Sequence, residues 1–127
     1  MARGEAGARR RRRLSRSGDF DRVYREGDSH ANRYLVLYAF PRESGEEDGP
    51  RLGVSVGRKV GSAVERNRVK RVLRESFWGL AESVPAGSDF VLVARPEISA
   101  LLERDGSPGV AEAVAEAADA LGRGRST

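Results

Sequence analysis

The sequence predicts one α+β domain with its elements in the order α-β-β-β-α-β-α. Three observations lead to this fold class. A basic amphipathic helix occupies the middle of the chain, strand-like apolar runs stand before and after it, and their spacing is that of a β-α-β crossover between parallel neighbours. A chain of 127 residues is long enough for one modest core.

The central helix is predicted from a capping box, in which Ser62 and Glu65 stand in the S-x-x-E relation. We therefore expect a helix that begins at Ala63 and ends at about Leu80. On a helical wheel one arc is mostly apolar and the opposite arc is cationic. The apolar arc holds Val69, Val72, Leu73, Ser76, Phe77 and Leu80, and the cationic arc holds Arg66, Asn67, Lys70, Arg71 and Arg74.

The segment Arg58–Arg74 carries seven basic residues against a single acid, Glu65. A charged run is usually only a solvated face, but like charges at i,i+4 without counter-charges destabilise a helix. A polyanionic partner relieves that repulsion. Residues 1–74 hold 19 basic and 10 acidic residues, a net of +9, whereas residues 75–127 hold 4 and 9, a net of −5. This asymmetry indicates a nucleic-acid binder.

The two ends of the chain are predicted to lie outside the folded domain. Residues 1–16 are rich in Gly, Ala and Arg and contain Arg9–Arg13, a block of like charge without apolar periodicity. We expect this tail to be disordered when free, with either an RNA-binding or a solubilising role. Residues 122–127 are expected to fray. The single RNA-binding domain then covers residues 17–121.

The first helix is predicted over Ser17–Glu26, with Ser17 as N-cap and Gly27 as the C-terminal stop. Phe20 and Tyr24 recur on one face of it. These rings are either plain core or stand at the edge of a cleft and stack on bases.

The next strand, Tyr34–Phe40, is predicted from composition and length. Side chains alternate between an aromatic face that includes Tyr34 and Tyr38 and an aliphatic face of Leu35, Leu37 and Ala39. If the aliphatic face packs on helices, the aromatic face opens toward a groove. Gly27–Arg33 supplies a short preceding strand.

The segment Pro41–Pro50 contains two Pro, two Gly and four acids, which predicts a hairpin loop. Arg51–Arg58 then alternates bulky aliphatic residues with Gly53, Ser55 and Gly57. This small-residue face indicates either the close approach of a ligand or tight packing against a helix. Asp89–Arg95 is almost continuously apolar, which is typical of a buried strand.

The C-terminal region is predicted as a loop followed by a packing helix. Pro96–Gly106 is predicted as a loop in which a helical turn can form. Ser107 and Pro108 provide an N-cap and a first-turn proline. The helix Gly109–Leu121 buries Val110, Val114, Ala117 and Leu121.

Several classes of function have no support in the sequence. The absence of cysteine excludes disulfides and thiolate metal sites and suits a reducing cytoplasm. No apolar run is long enough to span a membrane. Because no apolar stretch follows the arginine-rich N-terminus, we do not expect that segment to be a secretory signal. Lone His30 has no partner at ligand spacing. With no P-loop and no catalytic triad or carboxylate pair in a supporting context, we expect no hydrolytic centre in this chain.

The motifs resemble those of one known family. The run R-L-G-V-S-V-G-R-K-V-G-S-A-V-E-R-N-R-V-K-R-V-L-R-E-S-F, with Arg66-Asn67-Arg68 at its core, resembles the signature of the bacterial ribonuclease P protein component. D-F-x-x-V-Y-x-x-G, A-N-R-Y-L-V-L-Y and V-L-V-A-R match the same family in the same order. The resemblance covers about residues 14–121. It implies a two-layer sandwich like a ribosomal protein domain, with a left-handed β-α-β crossover in place of the right-handed default.

The resemblance also implies a function for the chain. The family's holoenzyme is a ribonucleoprotein that hydrolyses precursor tRNA to release the 5′ leader, one protein per RNA, and its catalytic RNA subunit holds most of the Mg²⁺. The protein then has no catalytic or metal residue but two binding surfaces. The surface for the RNA subunit holds Arg58, Lys59, Arg66, Asn67, Arg68, Lys70, Arg71 and Arg74, and the leader-binding cleft between the first helix and the sheet holds Phe20, Tyr24, Tyr34 and Tyr38.

Two other functions fit the basic helix. One is a ribosomal or chaperone-like RNA-binding protein without any enzymatic role. The other is a DNA-binding helix-turn-helix protein, which is disfavoured because the basic helix is followed by a buried strand and no partner helix precedes it.

Overall fold

Three helices and five strands make up the described part of the chain, which in this computed structural model comprises residues 12–14, 17–41, 49–85 and 87–125. The helices are α1 (Ser17–Glu26), α2 (Ala63–Trp78) and α3 (Ile98–Arg125), and the strands are β1 (Arg12–Arg13), β2 (Asp28–Ala31), β3 (Leu35–Pro41), β4 (Arg51–Ser55) and β5 (Ser88–Ala94). Short 3₁₀ turns at Arg58–Val60 and Ala81–Ser83 flank α2. The predicted α+β class is confirmed.

The strands form one sheet in the order β1-β4-β5-β3-β2. β4 and β5 are parallel and α2 connects them, which confirms the predicted crossover; its handedness stays a prediction. β5 lies between β3 and β4, antiparallel to β3. The predicted hairpin between β3 and β4 is therefore wrong, because the buried apolar β5 occupies the place that a hairpin partner would take. Residues 42–48 of that connection lie outside the described residues.

The main core lies between one face of the sheet and the helices α2 and α3. Leu35 and Leu37 of β3 and Leu92 of β5 are fully buried there. The apolar arc of α2 faces this core as predicted, with Ser76 and Leu80 half-buried at its margin. Buried on α2 are Val69, Val72, Leu73 and Phe77.

The helix α1 packs on the opposite face of the sheet, and its bounds match the prediction. Val23 of α1 and Val91 of β5 are fully buried in a second, smaller cluster. Tyr38 and Phe40 of β3 are only half-buried beside it. The aromatic side of β3 therefore stays partly open, as the alternation predicts.

A short strand, β1, precedes the predicted start of the domain at Ser17. Arg12 and Arg13 pair in parallel with Arg51 and Leu52 at the edge of the sheet. The Leu14 N–H donates to the Leu52 carbonyl at 2.9 Å, and Leu14 is 2% exposed. The prediction that residues 1–16 are disordered is therefore wrong for residues 12–14, which belong to the fold. Residues 1–11 and 15–16 lie outside the described residues.

The element α3 consists of two helical segments joined by a kink at Gly106. The second segment begins after Gly106, as predicted from Ser107 and Pro108, whereas the first lies within the predicted loop. Ile98 is the first residue of α3, so part of the predicted loop Pro96–Gly106 is helical, with Ile98, Leu101 and Leu102 buried. Gly106, at φ 71°, breaks the helix. Beyond the break the predicted residues Val110, Val114, Ala117 and Leu121 are buried.

The helix α3 also ends later than predicted. It continues to Arg125, so residues 122–125 are helical where fraying was expected; residues 126–127 lie outside the described residues. In the described ranges no helix combines the length and apolar character that a membrane crossing needs.

Candidate nucleic-acid interface

The start of α2 is fixed by the predicted capping box. The Glu65 N–H donates to Ser62 Oγ at 3.2 Å, and the Ser62 N–H donates to Glu65 Oε1 at 2.8 Å. These bonds satisfy two of the free donors at the helix start. The 3₁₀ turn just before them carries Arg58 and Lys59, so both residues are held beside the first turn of α2.

We name as the basic surface the eight residues predicted to face an RNA subunit. Five of them are exposed, and Arg66, Lys70 and Arg74 are half-buried. The Arg66 Nε–H donates to the Gly61 carbonyl at 3.2 Å. Within the described ranges none of the seven cations has a carboxylate partner. The exposed members are Arg58, Lys59, Asn67, Arg68 and Arg71.

A second candidate surface lies where α1 meets the sheet, and we name it the aromatic cleft: Phe20, Tyr24, Tyr38 and Ser55. The rings of Phe20 and Tyr24 are 6.2 Å apart between centroids, and those of Tyr24 and Tyr38 are 5.0 Å apart in an edge-to-face arrangement. Tyr24 is 38% exposed. The structure therefore brings together three of the four predicted leader-binding residues.

The hydroxyl of Tyr24 interacts with Ser55 of β4. Burial raises the pKa of Tyr24, and the nearby Tyr38 and Asp21 raise it further against the lowering effect of a hydrogen bond with Ser55. The phenol is therefore protonated at neutral pH. A protonated phenol can donate a hydrogen bond to a base or a phosphate oxygen.

The small-residue face of β4 is explained in part by α1. A Cβ added to Gly53 would lie 2.4 Å from Cζ of Phe20, so the ring occupies the space above the glycine. At this position tight helix packing is the correct one of the two interpretations. Phe20 forms the floor of the cleft, and the rings of Tyr24 and Tyr38 form its accessible part.

Tyr34 does not lie in the aromatic cleft. It precedes β3, so the strand alternation that predicted its direction does not apply to it. Its side chain packs against the main core, and the nearby Arg104 and Arg33 lower the pKa of Tyr34. The prediction that Tyr34 lines the cleft with the other rings is thus corrected.

An ionic cluster of Arg22, Arg51 and Asp89 holds α1 against the sheet, and the sequence did not reveal it. Asp89 is fully buried. It accepts two hydrogen bonds from Arg51, at 2.8 Å and 2.7 Å, and one from Arg22 Nη2 at 3.0 Å. The Arg22 guanidinium also lies 5.0 Å from the centre of the Phe40 ring. The one sequence signal for this cluster was Asp89 itself, a carboxylate at the start of an otherwise apolar strand.

The carboxylates and the histidine do not gather into a metal site. Within the described ranges there is no group of three or more His, Asp or Glu residues that could hold a metal ion. His30 lies half-buried on β2, with Nε2 3.5 Å from the carboxylate of Glu116.

The family model described as Ribonuclease P matches residues 8–107 of the chain. The chain belongs to the ribonuclease P protein family. Proteins named Ribonuclease P protein component from Bacillus cereus (strain ATCC 10987 / NRS 248) and Bacillus anthracis (strain CDC 684 / NRRL 3495) are each 39% identical over 87 residues. The matches cover 68% of this chain and 74% and 71% of those proteins.

Solved structures of the same family share the fold. The RNase P protein from Thermotoga maritima matches with a TM-score of 0.74 and 34% identity, over 89% of this chain and 97% of that one. An RNase P protein from Staphylococcus aureus matches with a TM-score of 0.66 and 32% identity, over 84% and 96%. The resemblance inferred from the motifs is confirmed.

Proposed function

We propose that this chain is the protein subunit of a ribonuclease P ribonucleoprotein, an endonuclease that removes the 5′ leader from precursor tRNA. The protein binds the catalytic RNA through the basic surface and the single-stranded leader in the aromatic cleft. The observation that carries this proposal is the separation of the two surfaces. The helix bearing the cations packs on one face of the sheet, whereas the rings meet on the other.

The basic surface suits a folded RNA. Its guanidinium groups have no carboxylate partners in the described ranges, so they are available to bind phosphates. Binding of this kind releases counterions and depends steeply on salt. It also relieves the repulsion between neighbouring cations on α2. The surface therefore fits the phosphate backbone of a large RNA partner.

The aromatic cleft suits a single strand. Tyr24 and Tyr38 meet edge to face, and Tyr24 is partly exposed, so an unpaired base can stack on it. Such stacking contributes about 1–3 kcal/mol per base and tolerates many sequences. In a duplex each base already has stacked neighbours, so a paired region cannot use the ring in the same way. The leader upstream of the tRNA is the matching substrate segment.

The Mg²⁺-dependent hydrolysis is assigned to the catalytic RNA. The described residues form no group of three or more His, Asp or Glu that could hold a metal ion. The protein places the leader and screens phosphate repulsion between the two RNAs. In this proposal one protein acts with one RNA in the cytoplasm.

Reconstitution tests this function directly. The purified protein alone is expected to leave precursor tRNA intact. Added to a bacterial catalytic RNA at low Mg²⁺, it is expected to accelerate formation of 5′-matured tRNA beyond the rate with RNA alone. An unchanged rate would contradict the proposal. Co-purification of the protein with ribosomal subunits in place of a catalytic RNA would favour the ribosomal alternative.

The two surfaces are expected to fail independently. Tyr24→Ala removes the exposed ring and should weaken leader binding by about 1–3 kcal/mol, with unchanged affinity for the catalytic RNA. Arg68→Ala removes an exposed cation and should weaken binding to the catalytic RNA while leaving leader affinity unchanged. The slope of log affinity against log salt concentration should become smaller by about one. Fluorescence titrations with a leader oligonucleotide and with the catalytic RNA measure both affinities.

Matched controls are available for both variants. Tyr34→Ala removes a tyrosine outside the cleft, and Arg123→Ala removes an exposed arginine on α3; both should leave the two affinities unchanged. If Tyr24→Ala lowers both affinities together with the free energy of unfolding, the ring is only a packing residue.

A further inference from the structure

The end of the N-terminal arginine-rich segment is anchored to the sheet. β1 pairs with β4, and Leu14 is buried with Val23 and Val91 on the side of α1. Neighbouring residues in a strand point to opposite faces. Arg13 therefore points to the α2 side, as does its Cα partner Leu52, which lies in the main core.

This pairing places Arg13 on the face of the sheet that α2 covers, near enough for its charge to act on Arg74 of α2. Burial lowers the pKa of Arg74, and the charge of Arg13 lowers it further. Within the described ranges neither arginine has a carboxylate partner, whereas Arg22, Arg51 and others do. The repulsion between the two guanidinium groups is thus uncompensated inside the described protein. An anion between them would remove it.

The pair also continues the basic surface. Arg66, Lys70 and Arg74 are spaced four residues apart, so they form one row along α2 with about 6 Å of axial rise between members. The charge of Arg13, which belongs to a different element, reaches the last member of this row. A phosphodiester is the anion that fits, because two guanidinium forks can share its non-bridging oxygens.

We propose that Arg13 and Arg74 together bind one phosphodiester of the catalytic RNA, which makes β1 part of the RNA-subunit interface. This inference rests on the function proposed above. It assigns a role to β1, on the face of the sheet that carries the row of cations on α2.

A double-mutant cycle on the full-length chain tests the shared phosphate. The affinity for the catalytic RNA is measured between about 50 mM and about 200 mM salt for Arg13→Ala, Arg74→Ala and the double variant. Loss of one neutralised phosphate makes the affinity ratio between these salt concentrations about threefold smaller. Each single variant should show this change, and the double variant should show no more than either single one.

The control is Arg123→Ala, which removes the same charge from the outer side of α3 and should behave like the wild type. If Arg13→Ala matches Arg123→Ala, or if the effects of Arg13→Ala and Arg74→Ala add fully, the shared site is refuted. Circular dichroism checks that each variant is folded. A wild-type protein that neither binds catalytic RNA nor stimulates cleavage would instead refute the proposed function.

Discussion

Replacement of Asp89 by alanine is expected to lower the free energy of unfolding by about 3 kcal/mol. The carboxylate is fully buried and bonded to Arg51 and Arg22. Removing one partner of a buried ion pair leaves the other charge uncompensated, which costs about 3–5 kcal/mol. The two arginine side chains are 23% and 37% exposed, so water can take over part of their hydrogen bonding, and we expect the low end of this range. Urea denaturation monitored by circular dichroism measures the loss.

The matched control for this variant is Asp119→Ala. Asp119 also pairs with an arginine, Arg123, but both side chains are mostly exposed. An exposed pair contributes about 0–1 kcal/mol. If Asp89→Ala is no more destabilising than Asp119→Ala, the ionic cluster does not hold α1 to the sheet. Asp89→Ala should also weaken leader binding more than binding to the catalytic RNA.

Substitution of Gly53 by alanine is expected to displace Phe20 and with it the aromatic cleft. The new Cβ would lie 2.4 Å from Cζ and 2.8 Å from Cε1 of the ring, closer than any real carbon contact. Overpacking of this kind costs about 1–3 kcal/mol. Leader affinity should fall because Tyr24 lies on the same helix, while affinity for the catalytic RNA should be retained. Titrations with each RNA and urea denaturation measure these effects.

A second substitution can show that the ring is the cause. Phe20→Leu removes the overlapping atoms, so the double variant should lose less stability than the sum of the two single variants. Gly57→Ala is the control, since nothing lies within 4 Å of a Cβ there and the backbone is extended. Additive losses in the double variant would show that Gly53 is not constrained by Phe20.

The local elements could be predicted because their signals are local. The Ser62–Glu65 capping box gave the start of α2, and alternation gave the buried face of β3. The order of the strands has no such signal. β5 lies between β3 and β4, where its backbone pairs with both neighbours and its side chains are buried on both faces of the sheet, which is a property of the assembled sheet. β1 was missed for a similar reason, since two residues show no period and Leu14 is held by tertiary packing.

The candidate site divides in the same way. The basic surface follows from helical spacing, so its residues were predicted together. The ionic cluster joins Asp89 to partners 38 and 67 residues away, and no pattern within one element indicates such a contact. Tyr34 was misplaced because the alternation was extended one residue beyond the strand.

The break at Gly106 has a consequence for how this family can vary. An uninterrupted helix transmits every insertion or deletion to all later residues as a rotation of about 100°. A glycine at φ 71° ends that transmission. The rotation of the helical segment after Gly106 is therefore set independently of the segment before it, and Val110 and Val114 face the core. An insertion or deletion in the first half of α3 therefore does not have to rotate Val110 and Val114 out of the core.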